Sequence, residues 1–556
     1  MKKKYIYISL LLFIFSLGTF LRFFRITEVP PSLSHDETAI AYNAYSLLTT
    51  GKDEYNNTFP LLFTSFDDYK LPGMVYATIP SVALFGRTEL GARVPSAFFG
   101  SLTILLIYLI VLELMMAART AHLKSGRSLP EIYALSAAFF FAISPWHINF
   151  SRQLFESNGA LFFISVAVYF LCVSFRKPQA LLMSALFFGI SVYFYYSVRL
   201  VIPCIALTYL LLQRKKLFTH TLITVLSIVI FTITIFPIGI KMFSKGGLER
   251  VSMVSIVNDP NYLSWKDKFV NIYADNQNIV YKVLFNQKSA LLMGAADNYW
   301  KNIAPLHVFA SGTMTYGLQH PFEIPLIFIG LLFLAYLSTP IKWILIAWFL
   351  AAILPGAFST NQPNALRTLL GAPFLALLSG LGAVELFYSI EKSKRVLFGY
   401  IPFTLLFLYF FYAFYQSYFI ANPTKNSLAF GDGYKQMVSY VRSHEADYDR
   451  VVISGYYWRP YVFMLYWGGI DPKTYQTKGT LHGWGKYVFT GAEWDKNDVF
   501  LFDSGYDPTK LVLTTKEKTL FILASPEFQK NKLKYTYMDA LSGRHASDVF
   551  IAATVK

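Results

Sequence analysis

The chain has 556 residues, of which 54% are hydrophobic and 18% aromatic while only 15% are charged. That composition excludes an ordinary soluble enzyme and fits an integral membrane protein with room for one soluble domain. A formal charge of +16 does not imply nucleic acid as a partner: the Lys and Arg punctuate apolar runs and read as topology signals and contacts to anionic lipid. The only two cysteines, Cys172 and Cys204, each sit inside an apolar run, so neither a disulfide framework nor a cysteine metal site is expected.

Met1-Lys2-Lys3-Lys4 precedes the apolar run Tyr5 to Phe24, which resembles a signal peptide, but no small-residue cleavage site follows and a retained signal anchor is expected. A crossing helix needs about 20 mostly apolar residues, and cytoplasmic loops are rich in Lys and Arg. With the N-terminus inside, a long outer loop runs from about Arg25 to Arg93, and its short Pro-interrupted run Pro72 to Phe85 lies in or dips into the outer interface. The later crossings are Val94 to Met116, Ile132 to Ser144, Ala160 to Phe175, Ala180 to Tyr196, Val201 to Leu212 and Phe218 to Ile238. After a second large outer loop, about 239–320, come Pro321 to Ser338, Trp343 to Leu354, Leu369 to Ser389 and Val396 to Ile420. These make eleven crossings, and the six inner segments carry fifteen Lys and Arg against Glu131 and Glu391. One crossing more or fewer would throw every later basic cluster outside.

From about Ala421 the composition turns soluble. Arg450 to Ser454, Val499 to Asp503, Thr519 to Ala524 and Val549 to Val555 read as short buried strands, alternating with helical stretches such as Tyr434 to Arg442. The expected architecture is therefore a polytopic α-helical membrane domain over 1–420 and a small α/β extracytoplasmic domain over 421–556.

The chemistry gathers at one face. Ser34-His35-Asp36-Glu37-Thr38 stands just beyond the first helix, and the short outer turns each carry an isolated cation: Lys70, Arg152, Arg199 and Arg367. Charges near a bilayer are costly unless paired, and Arg suits bidentate binding of phosphate oxygens, so the four cations fit a phosphate held at membrane depth. The plainer reading is that each snorkels to lipid head groups or pairs locally. Adjacent acids diverge by roughly 100° on a helix, so Asp36 and Glu37 cannot both address one atom. One can serve as a base toward an acceptor hydroxyl while the other binds or orients; alternatively, Ser34 or Asp36 is a helix N-cap. The second pair, Asp53-Glu54, reads as loop structure. Glu156, four residues after Arg152, is either a helical salt-bridge partner or a second acid. Asp67-Asp68 could take a divalent cation as a minor alternative; the scattered histidines have no zinc spacing, and no cofactor is required.

Taken together, the Asp-Glu pair, Lys70-Leu71-Pro72 leading into Phe85-Gly86 and Ala92-Arg93-Val94-Pro95-Ser96, then Ser144-Pro145 with Ser151-Arg152, and Ala365-Leu366-Arg367 resemble the GT-C glycosyltransferases. The similar branch is that of bacterial protein O-mannosyltransferases and aminoarabinose-transferase-like enzymes. The resemblance covers most of residues 1 to 420 and implies inverting transfer of a sugar from a polyprenyl phosphate to an acceptor on the outer face. It implies Asp36 as base, Glu37 as its companion, and Lys70 and Arg367 as donor-phosphate contacts; Glu156 stands where relatives carry a second acid. Lys70-Leu71-Pro72 replaces the His-Pro-Pro-like signature of protein-mannosylating members, so the acceptor stays open among protein, lipid and glycan. The rival function is a transporter or flippase of a lipid-linked or anionic solute, which would place ionisable groups near the midplane.

Overall fold

The computed structural model describes residues 2–66, 68–121, 129–242, 252–274, 279–312, 316–392, 396–490 and 518–555. The expected strand Val499 to Asp503, Asp67, the basic residues Lys124, Arg127, Lys394 and Arg395, and parts of the 239–320 loop lie outside the described residues. All eleven apolar runs are helical: Lys2–Phe23, Glu89–Ala121, Pro130–Ile143, Glu156–Ser174, Ala180–Ser191, Val198–Thr219, Thr221–Met242, Ile324–Tyr336, Ile341–Ala357, Ala372–Lys392 and Val396–Tyr415. Among the described residues, six helices are long and apolar enough to cross a membrane, and Pro72–Phe85 is among five shorter apolar ones. The chain is an integral membrane protein.

The fold divides into two compact units. One comprises Met1–Phe24, Ser96–Ser151 and Glu156–Tyr418; the other comprises Arg25–Pro95, Arg152–Phe155 and Phe419–Lys556. The loop from Arg25 clusters with the C-terminal segment.

In the membrane unit, small residues let helices approach closely, as van der Waals packing in lipid requires. A Cβ at Gly382 would stand 1.9 Å from the Leu326 carbonyl oxygen, and one at Gly380 would stand 2.4 Å from the Ala137 nitrogen. Larger groups fill the gaps, with the Tyr133 and Phe333 rings stacked at 5.3 Å. Arg22, fully buried near the end of the first helix, shows how a charge is tolerated there. It donates to the Gly18, Ala142 and Phe141 carbonyls at 2.7, 3.1 and 3.3 Å and faces His147 Nδ1 at 2.6 Å. Two of those carbonyls end the Pro130–Ile143 helix, where the backbone dipole is negative.

The second unit is built on a six-stranded sheet of β3 (Arg450–Ile453), β4 (Gly483–Trp484), β5 (Tyr487–Phe489), β6 (Thr519–Ala524), β7 (Tyr535–Leu541) and β8 (Phe550–Val555), after a separate hairpin of β1 (Phe63–Ser65) and β2 (Asp68–Lys70). The order is β4-β5-β3-β6-β8-β7. β3 runs parallel to β5 and β6, and β6 runs antiparallel to β8. Every residue of Thr519–Ala524 is buried, the pattern of a strand covered on both faces. One face packs Val452, Phe521, Leu523, Phe528, Tyr535, Ile551 and Ala553 together. Elsewhere Tyr434 stacks on Phe463 at 4.0 Å and meets Phe550 edge-on at 4.9 Å, tying the Tyr434–His444 and Pro460–Trp467 helices to β8. The same unit holds the first loop firmly: Gln476 Nε2 donates to Ser46 Oγ, Thr50 Oγ1 and the Asp53 carbonyl at 3.0, 2.9 and 3.0 Å, and Lys435 pairs with Glu89 at 2.9 Å.

Candidate active site

The site begins at the first turn of the His35–Thr50 helix, and its sequence explains why the helix starts there. Ser34 is the N-cap: its Oγ accepts the Glu37 N–H at 3.3 Å, while Glu37 Oε2 accepts the Ser34 N–H at 3.0 Å. This reciprocal capping box satisfies two orphan donors. Both acids thereby stand in the first turn, where the helix dipole favours negative charge. The cap and the acidic pair, which the sequence presents as alternatives, are the same structure.

The two carboxylates then diverge, as their spacing requires. Glu37 is fully buried, and its Oε1 accepts Arg93 Nε and the Leu154 N–H, both at 3.0 Å. Arg93, also fully buried, spends its remaining donors on the Ile26 and Pro30 carbonyls at 2.8 Å and on the Ser32 carbonyl. A planar fork meeting a carboxylate and three carbonyls is the arrangement that lets a buried ion pair offset its desolvation. Glu37 therefore ties the helix start to the 26–32 segment and to Leu154.

Asp36 turns the other way, and its side chain keeps 37% exposure. Its Oδ1 accepts Lys70 Nζ, which also donates to Asp68 Oδ2 at 3.3 Å and lies 4.8 Å over the Phe66 ring. The β1–β2 hairpin sets this up, because Asp68 and Lys70 are two residues apart on one strand and share a face. Phe66, in the turn, holds φ at +43°, as tight hairpin turns demand, and its N–H donates to Tyr461 Oη at 3.0 Å. Lys70 thus carries one positive charge against two carboxylates. His35 stands beside them, its Nε2 3.8 Å from Asp36 Oδ2. Burial pushes its imidazole below the usual histidine range.

Arg152 is fully buried in the same unit, donating from Nη2 to the Val29 carbonyl at 2.8 Å with its guanidinium 4.8 Å over the Phe419 ring. The other expected residues belong to the membrane unit. Arg199 lies 4.4 Å over the Tyr196 ring, and its buried Nε and Nη2 have no hydrogen-bond partner among the described residues. Arg367 donates to the Thr360 carbonyl at 2.6 Å, in a turn where Asn364 Oδ1 accepts the Leu366 and Arg367 N–H groups at 3.1 and 3.0 Å. Glu156 opens the Glu156–Ser174 helix.

Asp53-Glu54 is loop structure. Asp53 Oδ1 accepts the Tyr55 and Asn57 N–H groups at 3.0 and 2.8 Å. Glu54 is buried against Ser65 and Asn43, and burial pushes its carboxyl up to about 8. Among the described residues no group of three or more His, Cys, Asp or Glu is placed to hold a metal; Asp68 is engaged with Lys70. Three residues escaped the sequence reading. Arg93 was visible only inside its Ala-Arg-Val-Pro-Ser motif, Asp68 only as half of a metal candidate, and Trp458, whose ring meets His35 at 4.5 Å, was not singled out at all.

A sequence-family profile described as dolichyl-phosphate-mannose-protein mannosyltransferase matches residues 71–240. A search of curated proteins found no match. Among solved structures, ArnT from Cupriavidus metallidurans bound to undecaprenyl phosphate is similar at a TM-score of 0.53 and 12% identity, over 100% of this chain and 98% of that one. The archaeal oligosaccharyltransferase AglB from Archaeoglobus fulgidus, in complex with an inhibitory peptide and a dolichol-phosphate, is similar at a TM-score of 0.50 and 13% identity. That match covers 84% of this chain and 64% of AglB. At such identities the likeness is one of architecture, and the chain has the GT-C fold that these two membrane proteins share.

Proposed function

We propose that the protein is an inverting glycosyltransferase that moves a sugar from a polyprenyl-phosphate donor to an acceptor hydroxyl. The observation that carries this is Asp36: a partly exposed carboxylate at a helix N-terminus, facing an ammonium group shared with Asp68, within the fold of ArnT and AglB. In the reaction, the acceptor hydroxyl gives its proton to Asp36 as its oxygen bonds to the anomeric carbon. The bond from that carbon to the phosphate oxygen breaks, and polyprenyl phosphate leaves with the electron pair. Attack opposite the leaving group inverts the anomeric centre. Lys70 stabilises the charge on the departing phosphate; as its ammonium turns from Asp36 toward the phosphate, the carboxylate is freed to act as base. Glu37 orients the turn through Arg93. Arg152 supports the same turn from its buried position against Val29. Arg199 and Arg367 are the membrane unit's own candidates for phosphate contacts, and Glu156 its candidate second acid. The distribution of Lys and Arg supports a cytoplasmic N-terminus, with the site and the C-terminal domain extracytoplasmic. The acceptor is a protein, lipid or glycan hydroxyl.

The test uses full-length protein in lipid nanodiscs with labelled undecaprenyl-phosphate-linked mannose, glucose and aminoarabinose, each with peptide, lipid and glycan acceptors. Release of undecaprenyl phosphate that depends on acceptor and is lost in Asp36→Asn is the expected result. In proteoliposomes, movement of intact lipid-linked sugar across the bilayer without phosphate release would establish the transporter instead.

A further inference from the structure

An aromatic ring of the C-terminal segment meets the first turn of the helix that carries the candidate base. Immediately after β3 the chain runs Tyr456-Tyr457-Trp458-Arg459, and the Trp458 ring stacks on the His35 imidazole with centroids 4.5 Å apart and planes 19° from parallel. Phe66 meets the same imidazole edge-on at 5.0 Å, so His35 is held between two aromatic rings and its side chain keeps only 16% exposure. Trp458 is itself fixed at two points: its N–H donates to Tyr434 Oη at 3.0 Å and its Nε1 to the Leu428 carbonyl at 3.1 Å. His35 is the first residue of the helix and Asp36 the second. A ring clamped at His35 therefore fixes the backbone that aims Asp36.

We propose that Trp458 is a positioning residue for the transfer reaction, acting through His35 to hold Asp36 in its reactive orientation. The proposal rests on the reading of Asp36 as the base. It assigns to the C-terminal domain a part in the reaction that its distance along the sequence conceals.

The clamp has a second effect that geometry alone would not reveal. The charged groups around the His35 ring are Asp36 and Asp68, which favour its protonation, and Lys70 and Arg459, which oppose it; burial outweighs them and keeps the imidazole neutral. A neutral His35 adds no positive charge beside the Lys70–Asp36 pair. Were Trp458 to uncover the ring, water would stabilise the imidazolium, and a further positive charge beside Asp36 would make it a weaker base.

The experiment compares Trp458→Phe, which keeps an aromatic face, with Trp458→Leu, which keeps bulk without one, in full-length protein. Two readouts are used: diethylpyrocarbonate labelling of His35 mapped by mass spectrometry, which needs no donor, and turnover of the undecaprenyl-phosphate-linked sugar that the wild type accepts. Trp458→Leu is expected to raise His35 labelling about fivefold and lower kcat about tenfold with donor KM unchanged, since small misplacements of a reacting group cost rates of this order. Its acidic limb should shift to higher pH, while Trp458→Phe stays near wild type on every measure. His35→Leu and the double variant complete a cycle in which the two losses are expected not to add. Leu and Phe variants that behave alike, or losses that multiply to about a hundredfold, would overturn the proposal. Turnover by Asp36→Asn would overturn it by a separate route, by removing the base itself.

Discussion

Asp36-Glu37 and Asp53-Glu54 are the same dipeptide in the same loop, yet the fold treats the members of each pair differently. Asp36 stands partly exposed at a helix N-terminus with an ammonium against it, whereas Glu54 is buried beside a serine and an asparagine and holds its proton near neutral pH. Glu37 is as deeply buried as Glu54, but Arg93 and two backbone N–H groups stabilise its charge. A carboxyl's chemistry here follows from what surrounds it: a shared cation leaves it available, a dedicated cation makes it a strut, and burial beside neutral partners keeps it protonated. Residue type and spacing carry none of that distinction.

Removing the available carboxylate should have the largest effect. Asp36→Asn keeps the size and the helix start, and turnover is expected to fall about 10³-fold with unchanged thermal stability; stopped-time release of undecaprenyl phosphate measures it. Lys70→Met should cost about 10²-fold in turnover, and a wild-type rate would remove Lys70 from the leaving-group role. Glu37→Gln tests the strut: it leaves the Arg93 guanidinium without its counter-charge in a fully buried site, expected to cost about 3 kcal/mol and to appear as lost yield and an earlier melting transition.

The smallest effect sharpens the contrast with the second pair. Burial raises the Glu54 carboxyl from its ordinary 4.5 to about 8, so between those values the folded chain keeps a proton that the unfolded chain releases. Its contribution to stability is fully present below about pH 4.5 and lost as pH rises through about 8. The Tm of the wild type is expected to fall by roughly 5 °C from pH 5 to pH 8 on this account, and Glu54→Gln should flatten that slope without changing turnover at neutral pH. An unchanged slope would mean that the carboxyl is hydrated in solution.

Much of the architecture was legible beforehand because membranes impose simple rules. Long apolar runs must fold as helices to satisfy their backbone in lipid, and all eleven did. Strands such as Thr519–Ala524 were readable as unbroken apolar stretches bounded by polar ones. A helix N-cap was legible at Ser34 or Asp36; that Ser34 is the cap, closed by Glu37 in a capping box, came with the structure. Asp36 and Lys70, by contrast, are 34 residues apart, and only the β1–β2 hairpin brings the ammonium to the carboxylate. The part played by Arg93 was hidden because a guanidinium in an apolar segment looks the same whether it meets lipid head groups or a buried carboxylate.

The sequence by itself determined that this is a membrane protein, that its long apolar runs fold as helices, and that an acidic pair follows the first of them. Those properties depend on neighbours within a few residues or on average composition, and both can be read along a line. Tertiary structure alone decided that Asp36 faces a shared cation while Glu37 is locked to Arg93, and that Trp458, more than four hundred residues downstream, covers His35. The reason is that charge availability and ring packing are set by whichever groups long-range folding places within a few ångströms, and no local pattern encodes that choice.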